Sequence, residues 1–457
     1  MTTRANSQRE NLRKYHRFLS IIIQLAAMRI VQITPGAGRM YCGNCLRDNA
    51  LVSAWRRLGH DVMMVPVYLP LTLDEPDASK GSPIFFSGLN VYLDQKLPWF
   101  RKASGKMRHW LSSPALLGLA GRFAVRTRPE KVGDLTLSML RGEEGNQARD
   151  LDEMIGWLRA GARPDVVCLS NALLLGMVRR LKRDLGAKIV CYLGGEDTYI
   201  DAMPEPWRGR IWETLIERGR EVDMFVAPSR FYASEMLGRM KMPEDSLRVI
   251  GPGIDLSDYP ADPAVVRSYA GVQPPVLGFF ARMSPEKGLD KLVEAYIALR
   301  QSGLQPNLKL VIGGSYSPAD ASFVRRLQKQ LGAFGLLGDV EFRPNVDRNT
   351  KIRLLQSMTV FSVPVRYREA FGMYLLEAMA AGVPVVQPPT NAFPEIIEDT
   401  GGGVICESDD TPSLAKAIQQ VLEDADLRRK LAANGHRAVR EKYDVNVIAR
   451  CYIEAFG

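Results

Sequence analysis

The stretch from Arg366 to Glu377 reads R-Y-R-E-A-F-G-M-Y-L-L-E and carries two carboxylates, Glu369 and Glu377, eight positions apart. An apolar run typical of a buried strand precedes it (V-F-S-V-P-V), and A-M-A-A-G-V-P-V-V follows it. The order strand, loop, helix, turn, strand predicts an open α/β sheet. Glu369 then lies in the loop at the carboxyl end of a strand, Gly372 opens the helix, and Glu377 lies inside that helix.

This arrangement predicts a site for an anion flanked by hydroxyl groups. A helix N-terminus offers unpaired N–H groups and a partial positive charge, and a glycine there lets a phosphate approach the backbone. A carboxylate in the loop and another on the helix each accept hydrogen bonds from neighbouring hydroxyls. A diphosphate between two polyols, as in a nucleotide sugar, has this chemistry. The alternative is a helix with two solvated glutamates.

Other glycine-rich or basic loops also follow predicted strands. Gly36 and Gly38 lie in P-G-A-G after the strand M-R-I-V-Q-I-T, where the alternative role is a tight turn. Arg282 and Lys287 follow V-L-G-F-F-A, and Gly313 ends the strand L-K-L-V-I. Two cations at the carboxyl end of a strand suit a departing nucleoside diphosphate.

Together, these motifs resemble the glycosyltransferase family 4 enzymes, which are retaining glycosyltransferases of the GT-B fold. The resemblance rests on the Glu-x7-Glu pair with E-A-F-G, on Arg282 with Lys287-Gly288, and on Pro394-Glu395. It covers about residues 28–70 and 160–457. It implies two Rossmann-like domains that face each other across a cleft.

The resemblance also implies roles for single residues. Glu369, Arg282 and Lys287 would be catalytic, with Glu369 orienting the donor sugar and the two cations stabilising the leaving diphosphate. Glu377 would hold the ribose diol, and Phe371, Gly372, Gly36, Gly38 and Gly313 would contact the donor. No metal and no cofactor is implied, because the nucleotide sugar (most simply a UDP- or GDP-sugar) is itself a substrate.

The loop Gly194-Gly195-Glu196-Asp197 departs from the family pattern, which often has a histidine here that faces the donor sugar. Glu196 and Asp197 are placed where a carboxylate can contact donor or acceptor hydroxyls. The alternative is that they cap the helix predicted at 205–219.

We divide the chain into four parts. Residues 1–27 form an N-terminal extension, and residues 28–255 form an acceptor-side Rossmann-like domain with an insertion at about 71–145. Residues 256–440 form the domain that binds the nucleotide sugar. Residues 441–457 form a C-terminal helix that, as is common in GT-B proteins, crosses back to the first domain.

The net charge of +9 favours an anionic partner. From Lys96 to Lys131 the insertion carries nine basic residues and one acid, interleaved with Trp99, Phe100 and Trp110, a composition typical of contact with an anionic membrane surface. A solvated basic face is the alternative. No motif supports nucleic-acid binding.

Few cysteines and no apolar run of membrane-spanning length predict a cytoplasmic protein, either free or associated with the membrane at its cytoplasmic face. Residues 1–27 are read either as a plain extension or as a membrane-surface arm. Cys42 and Cys45 form a C-x-x-C pair that is read as a redox pair, half a zinc site, or inert thiols.

The sequence therefore predicts transfer of a sugar to a hydroxyl of a glycan, lipid-linked or small-molecule acceptor, as in polysaccharide or glycolipid biosynthesis. The alternative is a non-catalytic protein that binds nucleotide sugars on the same fold.

Overall fold

The computed structural model describes residues 27–36, 43–86, 91, 93–95, 132–262 and 274–457. Gly38, Cys42, nearly all of the N-terminal extension and the basic run from Lys96 to Lys131 lie outside the described residues. The predictions of a membrane contact and of a Cys42–Cys45 pair therefore stay predictions.

The N-terminal domain is a parallel sheet with helices on both faces. Its six strands lie in the order β2-β1-β3-β4-β5-β6. They are β1 (Arg29–Thr34), β2 (Asp61–Pro66), β3 (Val166–Leu169), β4 (Lys188–Tyr192), β5 (Met224–Ala227) and β6 (Leu247–Val249). The helices described here are α1 (Gly43–Arg57), α2 (Gly133–Leu140), α3 (Ala148–Gly161), α4 (Val178–Leu185), α5 (Glu196–Asp201), α6 (Trp207–Gly219) and α7 (Arg230–Met240).

The C-terminal domain repeats this architecture. Its parallel strands lie in the order β12-β11-β10-β7-β8-β9. They are β7 (Val276–Phe280), β8 (Lys309–Gly314), β9 (Val340–Pro344), β10 (Val360–Phe361), β11 (Val385–Gln387) and β12 (Gly403–Ile405). The helices are α8 (Leu289–Gln301), α9 (Ala321–Ala333), α10 (Arg348–Gln356), α11 (Met373–Ala380), α12 (Phe393–Thr400), α13 (Thr411–Glu423), α14 (Ala425–Lys442) and α15 (Val445–Phe456).

Each strand order contains a switch point, where the connections that leave two neighbouring strands run in opposite directions across the sheet. The switch lies between β1 and β3 in the first sheet and between β7 and β10 in the second. Ligands of open α/β sheets bind outside the carboxyl ends of the strands at this point. Arg282 follows β7 and Glu369 follows β10, so the fold brings the loops of both residues to one place. The prediction of two Rossmann-like domains is confirmed.

The last helix, α15, belongs to the core of the N-terminal domain. Trp55 of α1 stacks edge-on against Tyr452 with ring centroids 5.7 Å apart, and its indole N–H donates to the Ala449 carbonyl at 3.1 Å. Phe456 lies against the same indole. The chain therefore crosses between the domains a second time.

The described residues of the predicted insertion at about 71–145 include the helix α2 and a short 3-10 helix at Gly142–Glu144. Leu137 and Leu140 of α2 are buried. None of the helices in the described part of the chain is both long enough and apolar enough to cross a membrane.

Candidate active site

The carboxyl ends of the two sheets face each other across a cavity of about 320 Å³. The N-terminal domain supplies part of the wall from the start of α1 and from the loop after β4. The C-terminal domain supplies the loops after β7 and β10 and the start of α11. The lining includes Asn44, Arg47, Tyr192 and Gly194 on one side and Arg282, Lys287, Glu369, Gly372, Tyr374 and Glu377 on the other.

Glu369 is held by three donors on a single oxygen. Lys287 Nζ lies 2.5 Å from Glu369 Oε2, and the hydroxyls of Tyr367 and Tyr374 donate to the same oxygen at 2.8 and 3.2 Å. Among the described residues, the second oxygen, Oε1, has no hydrogen-bond partner. The carboxylate is thus fixed in orientation and keeps one oxygen for a ligand in the cavity.

The charges of this cluster follow from burial and contact. Burial raises the pKa of Glu369, but the Lys287 ammonium and the two phenols outweigh it and hold the pKa below its usual value. Burial and the Glu369 charge both raise the pKa of Tyr367 and of Tyr374. The phenols therefore stay protonated donors, and Glu369 stays ionised near neutral pH.

Arg282 is oriented by a buried acid. Its Nη2 lies 3.0 Å from Asp320 Oδ1, and Asp320 is 5% exposed whereas Arg282 is about half exposed. The other oxygen of Asp320 accepts from the Ser317 amide and hydroxyl. A guanidinium that is anchored from behind and open in front presents its remaining N–H groups to the cavity.

The N-terminus of α11 opens onto the same cavity. Gly372 precedes the helix with φ of 101°, a left-handed conformation that favours glycine, and no described side chain caps the helix. A Cβ at this position would lie 3.2 Å from both Phe393 and Tyr374. The helix start can thus receive an anion as the sequence predicted.

Phe371 and Gly313, which were predicted to contact the donor, differ in their position relative to the cavity. Phe371 lines the cavity, but its ring is 5% exposed and packs on Tyr443. A Cβ on Gly313 would meet the Phe280 ring at 2.5 Å, and the neighbouring Gly314 lines the cavity instead.

Gly36 has φ of 73°, and a Cβ there would lie 1.8 Å from the Leu69 carbonyl oxygen. This close approach supports the tight-turn alternative for Gly36. Its contact with a donor stays a prediction.

Glu377 is bound from the helix α10. Its Oε1 accepts from Lys351 Nζ at 2.8 Å, and Lys351 Nζ also lies 2.7 Å from Asp74 Oδ2 in the N-terminal domain. Lys351 was not predicted from the sequence, because a lone lysine on a helix is usually solvated. The sequence did offer one signal for it: the pattern R-N-T-K (348–351) places two cations one helical turn apart, shortly after the strand β9.

Glu196 and Asp197 do not belong to the described residues that line the cavity. Glu196 is 3% exposed and accepts from the amides of Ala172 and Gly194, each at 2.8 Å. Burial raises its pKa. Asp197 is fully buried and shares the Tyr232 hydroxyl with Glu196.

These contacts bury both carboxylates around the loop after β4, and both residues lie in the first turn of α5. Neither caps α6, whose N-cap is Pro206, and their contact with donor or acceptor hydroxyls stays a prediction. Residue type and position suggested exposed acids, whereas Glu196 accepts from the nearby Gly194 amide and the more distant Ala172 amide, and the Tyr232 hydroxyl donates to both acids.

Arg368 ties the Glu369 loop to the opposite domain. Its guanidinium lies 3.3 Å from Asp197, 3.0 Å from Asp201 and 3.2 Å from Glu235. The neighbouring Ala370 carbonyl accepts from the Ser229 hydroxyl at 2.7 Å. The loop that carries Glu369 is therefore held from both domains.

Glu395, noted from the sequence without a role, caps a helix of the other domain. Its two oxygens accept from the amides of Arg230 and Phe231, at 2.9 and 3.0 Å. These amides begin α7, whose own cap is the Ser229 hydroxyl.

Arg47 is the main cation that the sequence analysis missed. It is 5% exposed, its guanidinium lies 3.4 Å from the centroid of the Tyr192 ring, and it pairs with Asp48. Nη1 donates to Asn44 Oδ1 at 3.2 Å. The N-terminal wall of the cavity is thus an ordered, largely neutralised polar surface.

Cys168, Cys191, Cys406 and Cys451 are free thiols, and Cys45 is buried. Among the described residues, no group of three or more histidine, cysteine, aspartate or glutamate side chains is arranged to hold a metal ion. The metal-free reaction stays a prediction.

Two family models match the chain. The model described as glycosyl transferases group 1 matches residues 267–438, which contain Arg282, Lys287, Glu369 and Glu377. The model described as glycosyltransferase family 4 matches residues 139–258.

Curated relatives include D-inositol 3-phosphate glycosyltransferases. That of Salinispora arenicola is 26% identical over 342 residues, which are 70% of this chain and 72% of the relative. That of Stackebrandtia nassauensis is 30% identical over 247 residues, 53% of this chain and 54% of the relative.

Solved structures share the fold at low identity. HepE of Anabaena, in complex with UDP-glucose, has a TM-score of 0.62 and 17% identity, over 94% of this chain and 99% of that one. Sucrose-phosphate synthase of Thermosynechococcus elongatus has a TM-score of 0.66 and 18% identity, over 93% and 98%.

Proposed function

The chain belongs to the group 1 glycosyltransferases of the GT-B fold, and from this premise we propose that it is a retaining enzyme that uses a nucleoside diphosphate sugar. The sugar would pass to a hydroxyl group of a glycan, lipid-linked or small-molecule acceptor. The observation that carries the proposal is the Lys287–Glu369 pair, set beside Arg282 and the open start of α11 in one interdomain cavity.

The cations act on the leaving group. As the bond between the anomeric carbon and the diphosphate oxygen breaks, negative charge grows on the diphosphate. Arg282, Lys287 and the amides that begin α11 are already oriented toward the cavity, so they stabilise this charge without rearranging. Their interaction strengthens from ground state to transition state, and this difference accelerates the reaction.

The carboxylates orient the donor. Glu369 accepts hydrogen bonds from the sugar through its free oxygen, and Glu377 accepts from the ribose hydroxyls. The acceptor oxygen bonds to the anomeric carbon on the face from which the diphosphate departs, and its proton passes to the departing phosphate oxygen. No protein base is required, and the mechanism differs from that of glycosidases with two opposed carboxyl groups.

The comparisons support a uridine nucleotide as the first donor to test. HepE holds UDP-glucose on this fold. The curated relatives are named for a phosphorylated cyclitol acceptor, so small polar acceptors belong in the screen beside lipid and glycan acceptors.

A donor screen tests the proposal. Purified protein is incubated with UDP-, GDP- and ADP-sugars and with cell extract as the source of acceptors, and nucleoside diphosphate release is followed with and without EDTA. We expect release from one donor, unchanged by EDTA. Glu369→Gln and Lys287→Met should each lower the rate by at least about 100-fold, as for the loss of one preorganised group.

The control is Lys416→Met, which removes an exposed lysine paired with Glu407 on the surface and should leave the rate unchanged. Binding of a nucleotide sugar without release would contradict the proposed transfer reaction. Equal rates in the wild type and in both site variants would contradict the assigned residues.

A further inference from the structure

We propose that Lys351 is a positioning residue that fixes Glu377 for the ribose diol and links this recognition to the N-terminal domain through Asp74. The inference deepens the proposed function and rests on it, because it assumes a nucleotide donor whose ribose reaches Glu377. Lys351 itself acts through Glu377 and is not assigned a contact with the substrate.

The contacts form a three-residue chain across the cleft. Lys351 Nζ lies 2.8 Å from Glu377 Oε1 and 2.7 Å from Asp74 Oδ2. Among the described residues, Glu377 Oε2 has no hydrogen-bond partner, and Glu377 lines the cavity. The lysine therefore holds one oxygen of the carboxylate and leaves the other for a ligand.

Burial makes the contacts among Asp74, Lys351 and Glu377 energetically important. Lys351 and Asp74 are 8% and 9% exposed, and Glu377 is 20% exposed. A buried ammonium needs opposite charges close by, and the removal of one member leaves a charge without compensation. Without Lys351, Glu377 and Asp74 would face each other as like charges, and their repulsion would turn the Glu377 carboxylate away from Asp74.

A second pair fixes the helix that carries Lys351. Arg348, one turn earlier on α10, lies 2.8 Å from Glu75 and 2.7 Å from Asp258, and donates to the Asp255 carbonyl. Lys351 and Arg348 thus engage two consecutive acids of one N-terminal loop, Asp74 and Glu75. The ammonium position is set by both domains.

The consequence is selectivity for ribose. A carboxylate locked as an acceptor favours a nucleotide with both ribose hydroxyls over its 2′-deoxy analogue, and one hydrogen bond to a charged group is worth about tenfold in affinity or more. A carboxylate freed from Lys351 loses this preference, while the diphosphate contacts of Arg282 and the start of α11 remain.

Calorimetry on the full chain tests the inference without a need for turnover. UDP, GDP and ADP are compared with dUDP, dGDP and dADP for the wild type and for Lys351→Met. We expect the wild type to prefer the ribonucleotide by about tenfold or more, and Lys351→Met to reduce that ratio to about threefold or less. The 2′-deoxynucleotide itself should bind both proteins within about threefold.

Two further variants separate positioning from loss of structure. Lys351→Met/Asp74→Asn removes one of the two carboxylates that lose their cation, and with it their mutual repulsion, so it should regain stability yet show the same reduced ratio. Lys291→Met removes another largely buried lysine of this domain, which pairs with Asp409 away from the cavity, and should keep the wild-type ratio.

An unchanged ratio in Lys351→Met, or an equal loss of both nucleotides, would overturn the inference while the proposed function stands. The same reduced ratio in Lys291→Met would also overturn it. A wild type that binds none of the six nucleotides would overturn the proposed function and this inference with it.

Discussion

Gly288 allows the two loops of the active site to touch. It follows Lys287, has φ of 70°, and packs so closely on the loop after β10 that a Cβ would lie 1.8 Å from the Pro364 carbonyl oxygen. The contact lies one residue from Lys287 and five from Glu369 in the chain. The geometry of the Lys287–Glu369 pair therefore depends on a position with no side chain.

Replacement of Gly288 by alanine should disrupt both stability and catalysis. A left-handed alanine costs about 1–2 kcal/mol, and the clash with Pro364 adds to it, so we expect a loss of at least about 3 kcal/mol in the free energy of unfolding. Urea denaturation measures this loss, and the donor assay measures the accompanying fall in rate.

Gly303→Ala is the matched control for that substitution. Gly303 also has a positive φ, 73°, but a Cβ there meets no atom within 4 Å. It should cost only about 1–2 kcal/mol and leave the rate unchanged. Equal effects of the two substitutions would show that the close contact with Pro364 is unimportant.

At the scale of elements, the helix α15 packs into the N-terminal domain, although it follows the C-terminal domain in the sequence. Val445, Ile448, Ala449, Tyr452 and Phe456 are buried with strands β1 to β5 and with α1. The helix offers an apolar stripe at helical spacing, and α1 presents Trp55 to it. This contact fixes the last turn of α1 relative to α15 and the sheet.

Phe456→Ala should destabilise the N-terminal domain. Phe456 is 4% exposed, and the loss of a buried phenyl ring costs about 3 kcal/mol or more. Tryptophan fluorescence during denaturation reports the change, because Phe456 lies against Trp55.

The neighbouring Glu454→Ala should change stability by less than about 0.5 kcal/mol, since Glu454 lies on the exposed face of the same helix. A Phe456→Ala protein as stable as the wild type would mean that α15 contributes little to that core.

At the scale of the whole molecule, the two domains are held together by polar contacts on both sides of the cavity. Arg348 and Lys351 bind the loop at Asp74 and Glu75, and Glu395 caps α7 across the cleft. Polar contacts of this kind between domains can break without exposing a large apolar surface. The relative position of the two domains thus depends in part on a small number of polar contacts.

Glu395→Ala should shift the molecule toward a more open arrangement. Removal of a helix cap costs about 1 kcal/mol, which corresponds to about a fivefold change in the ratio of closed to open molecules. Distance measurements between one label in each domain would detect this shift, and the transfer rate should fall with the closed fraction.

Glu398→Ala is the control, because Glu398 is 81% exposed and, among the described residues, reaches the other domain only through a 3.8 Å contact with Arg230. It should leave the distances unchanged. Identical distance distributions in the wild type and in Glu395→Ala would rule out this cap as a determinant of domain position.

Much of the fold and part of the site could be predicted from the sequence. The alternation of apolar strands and amphipathic helices indicated two Rossmann-like domains, because hydrophobic periodicity is local information. Glu369, Glu377, Arg282, Lys287 and Gly372 were identified as candidates since each stands at a fixed offset from a strand end or a helix start.

The tertiary structure decided the rest, because it depends on which distant segments meet. The sequence could not show that Lys287 pairs with Glu369, that Lys351 joins Glu377 to Asp74, or that Glu395 caps a helix of the other domain. The sequence also suggested Glu196 and Asp197 as ligand contacts or helix caps and could not show that packing buries both. Charge and spacing along the chain identify polar residues as candidates for the site, but burial and partners from the other domain determine what each of them does.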